Sequence, residues 1–436
     1  MSKKKVEWYH EFIDTEYTPD KTDLTVLYYF DPAEGVSTED IVGRLASESS
    51  VGTWTTLETL DDRIYNMRAR SYWYDDHWVK IAYPLELWEL GNVPQLLSGI
   101  AGNIYGMKAV RNLRLVDASL PPEFVRGNKG PHLGTTGIQE ILKKKEGPFT
   151  ATVPKPKIGL TVDQHIQVAE DAWSGGVDII KDDENLTSQV GLQNTFDERV
   201  TRMAQMREKV EKDTGDVKEA FINVTAETHE MERRVKVLHD HGFRYFMVDV
   251  VTTGYAAVQT LRKVAEDYDM AIHAHRAMHG AFTKHSTHGM SMYFLAKLMR
   301  LIGVDNLHIG TVVGKLDSPK EDVLAMRDLL LDAQIHGSEK RFLDQDWAGL
   351  KATVPVASGG LHPGVLPEVL RIYDTTDMCL QVGGGVHGHP DGTHAGAKAT
   401  IQAIEATKEG LTLEEKAKTA PELAKALERW GAMRPV

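Results

Sequence analysis

From about residue 150 onward, short apolar runs alternate with longer segments whose apolar positions repeat every three to four residues. Short apolar runs are typical of buried β-strands, and the longer repeat is typical of amphipathic helices. The predicted strands lie near Phe149–Val153, Val177–Lys181, Ala220–Val224, Tyr245–Val250, Met270–His275, Leu307–Val312, Ala352–Val356 and Met378–Val382. The helices between them include Asp197–Lys212, His229–His241, Ala256–Tyr268 and Lys320–Gln334. This succession of eight strand–helix units predicts an α/β fold, a parallel (β/α)8 TIM barrel.

The first 130 residues follow a different pattern, in which strand-like and helix-like segments have no regular order. Strands are predicted at Leu24–Phe30, Arg70–Tyr74 and Trp78–Pro84, and helices at Ser37–Ser47 and Asn92–Ala101. This mixed order predicts an N-terminal α+β domain of the ferredoxin-like type over residues 1–130. Prolines and glycines near its end separate it from a barrel domain over residues 131–436, which carries a charged helical C-terminal tail.

Composition and charge narrow the classes of function. The chain has 436 residues, of which 42% are hydrophobic and 26% are charged, as is usual for globular proteins with a large core. Its net charge of −13 argues against nucleic acid as a partner, because a phosphate backbone attracts clustered lysine and arginine. No apolar stretch has membrane-spanning length, the N-terminus lacks the apolar core of a signal peptide, and the single cysteine, Cys379, forms no intrachain disulfide. We therefore expect a cytoplasmic protein without a membrane partner, with Cys379 in the core.

The most informative segment ends the second predicted barrel strand, where Lys181, Asp182, Asp183 and Glu184 follow one another. Because side chains alternate along a strand, Lys181 and Asp183 are expected on one face and Asp182 on the other. Two neighbouring carboxylates repel each other, and a divalent cation bound between them removes that repulsion. A lysine amine that reacts with carbon dioxide becomes a carbamate, whose oxygens suit a hard ion such as Mg²⁺. The alternative for this segment alone is a solvated, ion-paired strand end.

Two lysines, Lys155 and Lys157, follow the first predicted strand and alternate with Pro154 and Pro156. Active sites of barrels lie at the carboxyl ends of the strands, and alternation places both ammonium groups on one side. Facing the Lys181 segment, such a pair is suited to proton transfer. The alternative is a pair of surface lysines.

The fifth and sixth predicted strands end in His275, Arg276 and His308. The planar fork of arginine suits a phosphate, and histidine can polarise a hydroxyl group or share a phosphate. The segment after the sixth strand carries Lys315 between flanking glycines, as in a lid that closes over a substrate.

Glycines follow the last two predicted strands, at Ser358–Gly360 and Gly383–Gly385. Without side chains, backbone amides can approach an anion closely, and barrels often bind phosphate at these two loops. With Arg276 and His308 across the barrel mouth, they predict two phosphates at opposite ends of one small substrate.

Together, these motifs resemble those of the large subunit of ribulose-1,5-bisphosphate carboxylase/oxygenase (RuBisCO), over essentially the whole chain. The matching blocks are Glu48–Trp54, Gly102–Asn103, Lys155–Lys157, Gly176–Glu184, His275–His279, Gly314–Leu316, Ser358–Gly360 and Gly383–Gly385. The sequences of residues 153–157 and 181–188 are most like those of the archaeal form III group, whereas the sequence of residues 311–316 is most like that of the plant form.

The resemblance implies that CO₂ and water are added to ribulose 1,5-bisphosphate to give two molecules of 3-phosphoglycerate, with an oxygenase side reaction with O₂. It implies one Mg²⁺ per active site, held by CO₂-carbamylated Lys181 with Asp183 and Glu184. The implied catalytic residues are Lys155, Lys181, His275, Lys315 and Glu48. The implied substrate-binding residues are Thr53, Trp54, Asn103, Lys157, Arg276, His308, Ser358, Gly359, Gly360, Gln381, Gly383 and Gly384.

The resemblance also implies a homodimer with shared active sites, in which Glu48, Thr53, Trp54 and Asn103 reach into the barrel of the partner. Further assembly of dimers is left open, and no small subunit is expected. Membership of form III implies a pathway that degrades nucleoside monophosphates such as AMP.

Two other functions compete with the carboxylase. A RuBisCO-like enolase or isomerase of sulfur-sugar phosphates typically lacks several of the phosphate, proton-transfer and loop residues, and here Thr53, Asn103, Lys155, Arg276 and Lys315 are all in place. A non-catalytic barrel would have no reason to gather several lysines at one face, so the lysines favour an enzyme.

Overall fold

The computed structural model describes residues 7–313, 319–338 and 340–431, and the predicted loop lysine Lys315 lies outside these ranges. The strands are β1 (Leu24–Pro32), β2 (Arg70–Tyr74), β3 (Trp78–Tyr83), β4 (Val110–Ser119), β5 (Phe149–Thr152), β6 (Ile179–Lys181), β7 (Glu219–Phe221), β8 (Tyr245–Asp249), β9 (Ala271–His275), β10 (Gly289–Met290), β11 (Asn306–His308), β12 (Gln334–Ile335), β13 (Gln345–Asp346), β14 (Val354–Ser358) and β15 (Cys379–Gln381).

The α-helices are α1 (Thr38–Glu48), α2 (Asp62–Asn66), α3 (Val93–Ile100), α4 (Pro122–Arg126), α5 (Gly134–Ile141), α6 (Val162–Ser174), α7 (Phe196–Thr214), α8 (Thr228–Asp240), α9 (Val250–Thr253), α10 (Tyr255–Asp267), α11 (Gly280–Thr283), α12 (Met292–Ile302), α13 (Lys320–Leu331), α14 (Leu366–Tyr373), α15 (Gly384–His387), α16 (Thr393–Glu409), α17 (Leu413–Ala417) and α18 (Pro421–Trp430). Short 3-10 helices lie at Glu7–Phe12, Leu85–Leu87, Asn103–Gly106, Val190–Leu192 and Pro363–Val365.

Residue contacts divide the chain into two units. The first comprises Met1–Gly130, Met278–Ile302 and Asp332–Leu350. The second comprises Pro131–Ala277, Gly303–Leu331 and Lys351–Val436. The sequence pattern does not set the two later segments of the first unit apart, because they lie between predicted barrel strands.

The first unit contains a sheet with the strand order β10-β4-β1-β3-β2. Strand β1 is antiparallel to β3 and β4, and β10 is parallel to β4. The three predicted strands and both predicted helices of this region are present. Strand β4 escaped prediction because Arg111, Asn112 and Arg114 interrupt its apolar positions, although Leu113 and Leu115 are buried.

The second unit is the predicted barrel. Its parallel strands follow the order β7-β6-β5-β15-β14-β11-β9-β8. Between β7 and β8 the ring closes just beyond the end of β7, where Asn223 bridges to Met247. There the Met247 amide donates to Ile222 O, and the Val224 amide donates to Met247 O, each at 2.9 Å. The predicted α/β fold class is therefore confirmed.

The centre of the barrel is apolar. Phe149 and Ala151 of β5, like Val354 and Val356 of β14, are spaced two residues apart and belong to one buried cluster. A spacing of two is the spacing of side chains on one face of a strand. Cys379 belongs to the same cluster and is a free thiol whose pKa burial raises, as expected for a core residue. Among the described residues, no helix is both long and apolar enough to cross a membrane.

Candidate active site at the carboxyl end of the barrel

The inward-facing positions of the barrel strands change from apolar to polar toward the carboxyl ends. Ile179 in β6 and Met247 in β8 belong to the buried core. Two residues further along the same face of each strand lie Lys181 in β6 and Asp249 in β8. Polar residues that continue an inward face in this way are Lys181, Asp249, His275, Ser358 and Gln381. The alternation that builds the core thus also carries these groups to one end of the barrel.

Lys181 is fully buried, and its ammonium group donates a hydrogen bond of 2.8 Å to the carbonyl of Asp182. Burial lowers the pKa of this amine, because the charged form loses its hydration, while Glu184 and Asp249 partly oppose the shift. A lowered pKa increases the fraction of neutral amine, which is the nucleophilic form.

Asp183 lies beside Lys155, whose ammonium group is 3.2 Å from Oδ2. Its other oxygen accepts hydrogen bonds from the backbone and side-chain nitrogens of Asn185, at 3.2 and 3.0 Å. Burial opposes ionisation of Asp183, but the bonds from Asn185 and Lys155 outweigh it and lower the pKa of the carboxyl. Lys157, in contrast, is exposed. The structure therefore brings Lys155, rather than both lysines, into contact with the acidic segment.

Asp182 faces the opposite way, as predicted. Its Oδ2 accepts hydrogen bonds from Nε and Nη2 of Arg199 in α7, at 3.2 and 3.0 Å, and from the Asn223 amide at 3.0 Å. Arg199 is fully buried and also donates to Thr187 O and Asn194 Oδ1. A charge-assisted, two-pronged bond of this kind holds the loop that carries Asp183.

His275 lies between the acidic segment after β6 and the end of β8. Its Nδ1 lies 2.9 Å from Asp249 Oδ1, and its Nε2 lies 3.7 Å from Glu184 Oε2. Neither Asp249 nor Asn185 was singled out from the sequence. Asp249 could have been found, because it is a carboxylate at the inward-facing end of a predicted barrel strand.

His308 is buried between two polar partners. Its Nδ1 lies 2.7 Å from Ser358 Oγ, and its Nε2 lies 2.9 Å from Nε2 of His273. Burial lowers the pKa of both histidines well below the ordinary value, and the neighbouring charge of Lys181 acts in the same direction. Both rings are therefore neutral at physiological pH.

Arg276 follows β9 and is half-buried. Removal from water lowers the pKa of its guanidinium group to about 10, and Tyr373 opposes this shift. The group therefore remains a cation at neutral pH and can bind an anion.

Glycine and amide groups complete this end of the barrel. Gly359 and Gly360 have φ angles of 110° and 76°, which disfavour residues with a side chain. A Cβ on Gly383 would lie 3.5 Å from Cε of Lys155, so the Lys155 side chain runs past this turn and a larger side chain there would meet it. Gly384 begins α15 and is exposed, while Oε1 of Gln381 is buried without a hydrogen-bond partner in the described part of the chain.

The remaining predicted residues belong to the first unit. Glu48 is the last residue of α1, and burial raises the pKa of its carboxyl although Arg44 opposes the shift. Asn103 begins a 3-10 helix, and the carbonyl of Thr53 accepts a hydrogen bond from the Trp8 indole. The side chain of Trp54 is 72% exposed, which is unusual for a large aromatic residue.

The donor set at Lys181 tests whether a metal fits. Within the described residues, no group of three or more His, Cys, Asp or Glu side chains is arranged to hold an ion. Asp183 and Glu184 supply two carboxylates beside a buried amine. A carboxylate added to Lys181 would complete an all-oxygen set, which is the set that Mg²⁺ prefers.

Family models match nearly all of the chain. The N-terminal domain of the ribulose bisphosphate carboxylase large chain matches residues 11–124. The catalytic domain of the same large chain matches residues 134–430.

Archaeal proteins of the same kind are similar to the chain over its whole length. The ribulose bisphosphate carboxylase of Pyrococcus furiosus is 49% identical, over 99% of this chain and 100% of that protein. The ribulose bisphosphate carboxylase of Methanocaldococcus jannaschii is 46% identical, over 96% of this chain and 100% of that protein. The octameric enzyme of Pyrococcus horikoshii, solved with sulfate, has a TM-score of 0.90 at 47% identity and 98% coverage of both chains. The dimeric enzyme of Hyperthermus butylicus has a TM-score of 0.93 at 43% identity, and the match covers 98% of this chain and 100% of that chain.

Proposed function

The chain belongs to the family of ribulose bisphosphate carboxylase large chains, and from this premise we propose that it adds CO₂ and water to ribulose 1,5-bisphosphate, giving two molecules of 3-phosphoglycerate. The observation that carries the proposal is the fully buried Lys181 beside Asp183 and Glu184 at the carboxyl end of a barrel. A charged lysine is costly to bury, and the cost falls when the amine reacts and its product is bound.

Activation begins at the amine of Lys181. Its neutral form attacks the carbon of CO₂ and releases one proton, so that a nitrogen–carbon bond forms and a carboxylate replaces the ammonium group. This carboxylate, with Asp183 and Glu184, would hold Mg²⁺. When bound, the ion would polarise the substrate carbonyl and stabilise the negative charge that develops on the enediolate oxygens.

The side chains of the barrel then divide the proton transfers and the orientation of substrate. The carbamate on Lys181 removes the proton from C3, and His275 and Ser358 bind the substrate hydroxyls. Lys155 donates the proton that the product carbanion at C2 requires. Its contact with Asp183 supports this role, because the contact keeps the ammonium group at the acidic segment.

The two phosphates bind at opposite sides of the barrel mouth. Arg276 and His308 hold one of them, with the guanidinium group as the fixed cation. Gly359, Gly360, Gly383 and Gly384 hold the other through backbone amides, with Gln381 and Lys157 nearby. The positive φ angles at Gly359 and Gly360 support this assignment, because they leave the backbone accessible.

The first unit would complete the site from a second subunit. In this proposal Thr53 and Trp54 bind one phosphate, Asn103 lies against the substrate, and Glu48 orients Lys315 of the neighbouring barrel. The exposed Trp54 supports a contact with another molecule. The minimal active unit is a homodimer without a small subunit, with a domain boundary near residue 130.

The wider role is also a proposal. An oxygenase side reaction would follow from attack of O₂ on the same enediolate, and the form III-like sequence of residues 153–157 and 181–188 is the basis for proposing a role in the degradation of nucleoside monophosphates such as AMP. A cytoplasmic location remains a prediction from the sequence.

The decisive experiment measures labelled CO₂ entering 3-phosphoglycerate. The purified chain, preincubated with CO₂ and Mg²⁺, should form two molecules of 3-phosphoglycerate for each ribulose 1,5-bisphosphate consumed. The competing enolase would consume a sulfur-sugar phosphate and incorporate no label. Absence of labelled product from a folded, preincubated protein would therefore refute the carboxylase.

A further inference from the structure

His387 lies at a junction between the two strand ends that meet at Lys155. It is the last residue of α15, which starts immediately after Gly383. Its ring contacts Thr152, the last residue of β5, and Thr393, the first residue of α16. The proposed carboxylase mechanism assigns His387 no role.

The hydrogen bonds fix the protonation of the ring. Thr152 donates its only hydroxyl proton to Val382 O, at 2.6 Å, and the same oxygen lies 3.0 Å from Nε2 of His387. Because that proton is already used, the oxygen accepts and Nε2 donates. Burial, together with the charge of Lys155, lowers the pKa of His387 to about 4 although a hydrogen bond with the Val153 backbone opposes the shift, so the ring is neutral. Nδ1, 3.1 Å from Thr393 Oγ1, therefore accepts from that hydroxyl.

These bonds join the backbone on both sides of the candidate site. Thr152 lies three residues before Lys155, and Val382 directly precedes Gly383. The Lys155 side chain runs past the Gly383 turn, since a Cβ added to Gly383 would lie 3.5 Å from Cε of Lys155. A change in the separation of the two strand ends would therefore move the lysine relative to the turn.

We propose that His387 is a positioning residue, which holds the Gly383–Gly384 turn and Lys155 at the separation that a phosphate-bearing substrate requires. This inference rests on the proposed function, which places one substrate phosphate at that turn. A neutral donor can do this without adding a second positive charge beside Lys155. In this proposal His387 acts through Thr152 and Thr393 rather than on the substrate itself.

The test compares two amides of different length in the full-length protein. In His387→Gln the side-chain amide nitrogen can reach the position of Nε2 and donate to Thr152. In His387→Asn it reaches only the position of Nδ1, on the side of Thr393. We expect KM for ribulose 1,5-bisphosphate to rise about tenfold in the Asn variant, the order of effect that a small misplacement produces. The Gln variant should stay within about twofold of wild type, since the donor is kept.

A binding measurement separates positioning from general stability. Calorimetric titration with ribulose 1,5-bisphosphate under non-turnover conditions, without CO₂ or Mg²⁺, should show the same order of affinities: wild type and Gln above Asn. Thr152→Val removes the hydroxyl oxygen that accepts from Nε2 of His387. Its affinity for ribulose 1,5-bisphosphate should therefore be as low as that of the Asn variant. His389→Asn is the matched control, because His389 lies two residues away and its Nε2 contacts Glu422 O of the C-terminal tail.

Each outcome decides the proposal. Equal affinities of the Gln and Asn variants, or wild-type affinity in Thr152→Val, would overturn it. If His387→Asn unfolds, the Thr152→Val result decides in the same way. Failure of the proposed function is seen separately, as absence of labelled 3-phosphoglycerate from wild type.

Discussion

Asp249 and His275 lie opposite each other on the paired strands β8 and β9, and their side chains meet at 2.9 Å. The Asp249 carboxylate accepts a hydrogen bond from Nδ1 of His275. The other ring nitrogen, Nε2, then faces the Glu184 carboxylate, with 3.7 Å between Nε2 and Oε2. A carboxylate that accepts at one nitrogen of an imidazole selects the tautomer and directs the other nitrogen. Strand register therefore sets the orientation of His275.

Asp249→Asn should lower kcat by about 10- to 100-fold, part of what a well-placed acid–base group contributes. The amide can present its NH₂ group to Nδ1, which favours the opposite tautomer of His275. Since Asp249 also favours the charged form of Lys181, the assay should follow saturating preincubation with CO₂ and Mg²⁺. An unchanged kcat in the folded variant would contradict the role of Asp249.

Lys181→Met should abolish carboxylation and leave the protein folded. Methionine fills the buried volume but cannot form a carbamate, so the third oxygen ligand and the proposed base are both lost. Lys218 is a matched control, because it is also a buried lysine with a lowered pKa but precedes β7 at the opposite end of the barrel. Lys218→Met should keep the incorporation of labelled CO₂. Carboxylation above background in Lys181→Met would remove Lys181 from the mechanism.

Glu48→Gln and Lys181→Met should complement each other in mixed dimers. Each variant alone should be inactive, whereas one of the two sites in a heterodimer has both residues intact, giving up to about half of the wild-type activity per dimer. Heterodimers can be isolated with two affinity tags and assayed for labelled 3-phosphoglycerate. No recovery in verified heterodimers would mean that each chain builds its own site.

Lys315→Ala should separate the two halves of the reaction. In the proposed mechanism Lys315 acts after the enediolate has formed, when CO₂ adds and a carboxylate develops. The variant should therefore lose carboxylation by orders of magnitude but still exchange the C3 proton of ribulose 1,5-bisphosphate with solvent. Proton exchange is measured by NMR in deuterated water. Loss of both activities together in a folded variant would contradict this division.

Glu219→Gln should stabilise the protein above neutral pH. Glu219 is buried, and its burial raises the pKa of the carboxyl to about 7, although Arg207 opposes the shift. A carboxyl whose pKa is higher in the folded state favours folding fully below its unfolded pKa, and that contribution is lost as the pH rises to about 7. The variant should therefore gain about 1 to 3 kcal/mol at pH 8 and little at pH 4.5. Thermal unfolding at the two pH values checks this, and an equal effect at both would contradict it.

The barrel could be predicted from the sequence because each of its strands overlaps one of the eight short apolar runs. The opposed directions of Asp182 and Lys181 could be predicted for the same reason, since alternation is a local property. The partner of Asp182 could not, because Arg199 lies on the face of a helix whose position depends on packing. The contact of Asp249 with His275 likewise depends on the pairing of two strands.

Strand β4 shows a different limit. Arg111, Asn112 and Arg114 interrupt its apolar positions, so the local pattern resembles a polar loop, and the strand is recognisable from its pairing with β1 and β10. Conversely, the lysines at residues 155 and 157 look equivalent in sequence, but only Lys155 contacts Asp183.

Asn223 links the closure of the barrel with the proposed metal loop. It forms the bridge to Met247 that closes the ring between β7 and β8, and its amide and side chain donate to Asp182 Oδ2 and Glu184 O. Opening the barrel at this seam would break the bonds to the loop that carries Asp183 and Glu184. A ligand that needs this loop in place would bind only the closed ring, and so would shift the equilibrium between open and closed barrels. Activation of the enzyme should therefore also slow hydrogen exchange at the amides of Val224 and Met247. The junction between β7 and β8 would then open at a higher temperature in the activated enzyme than in the unactivated one.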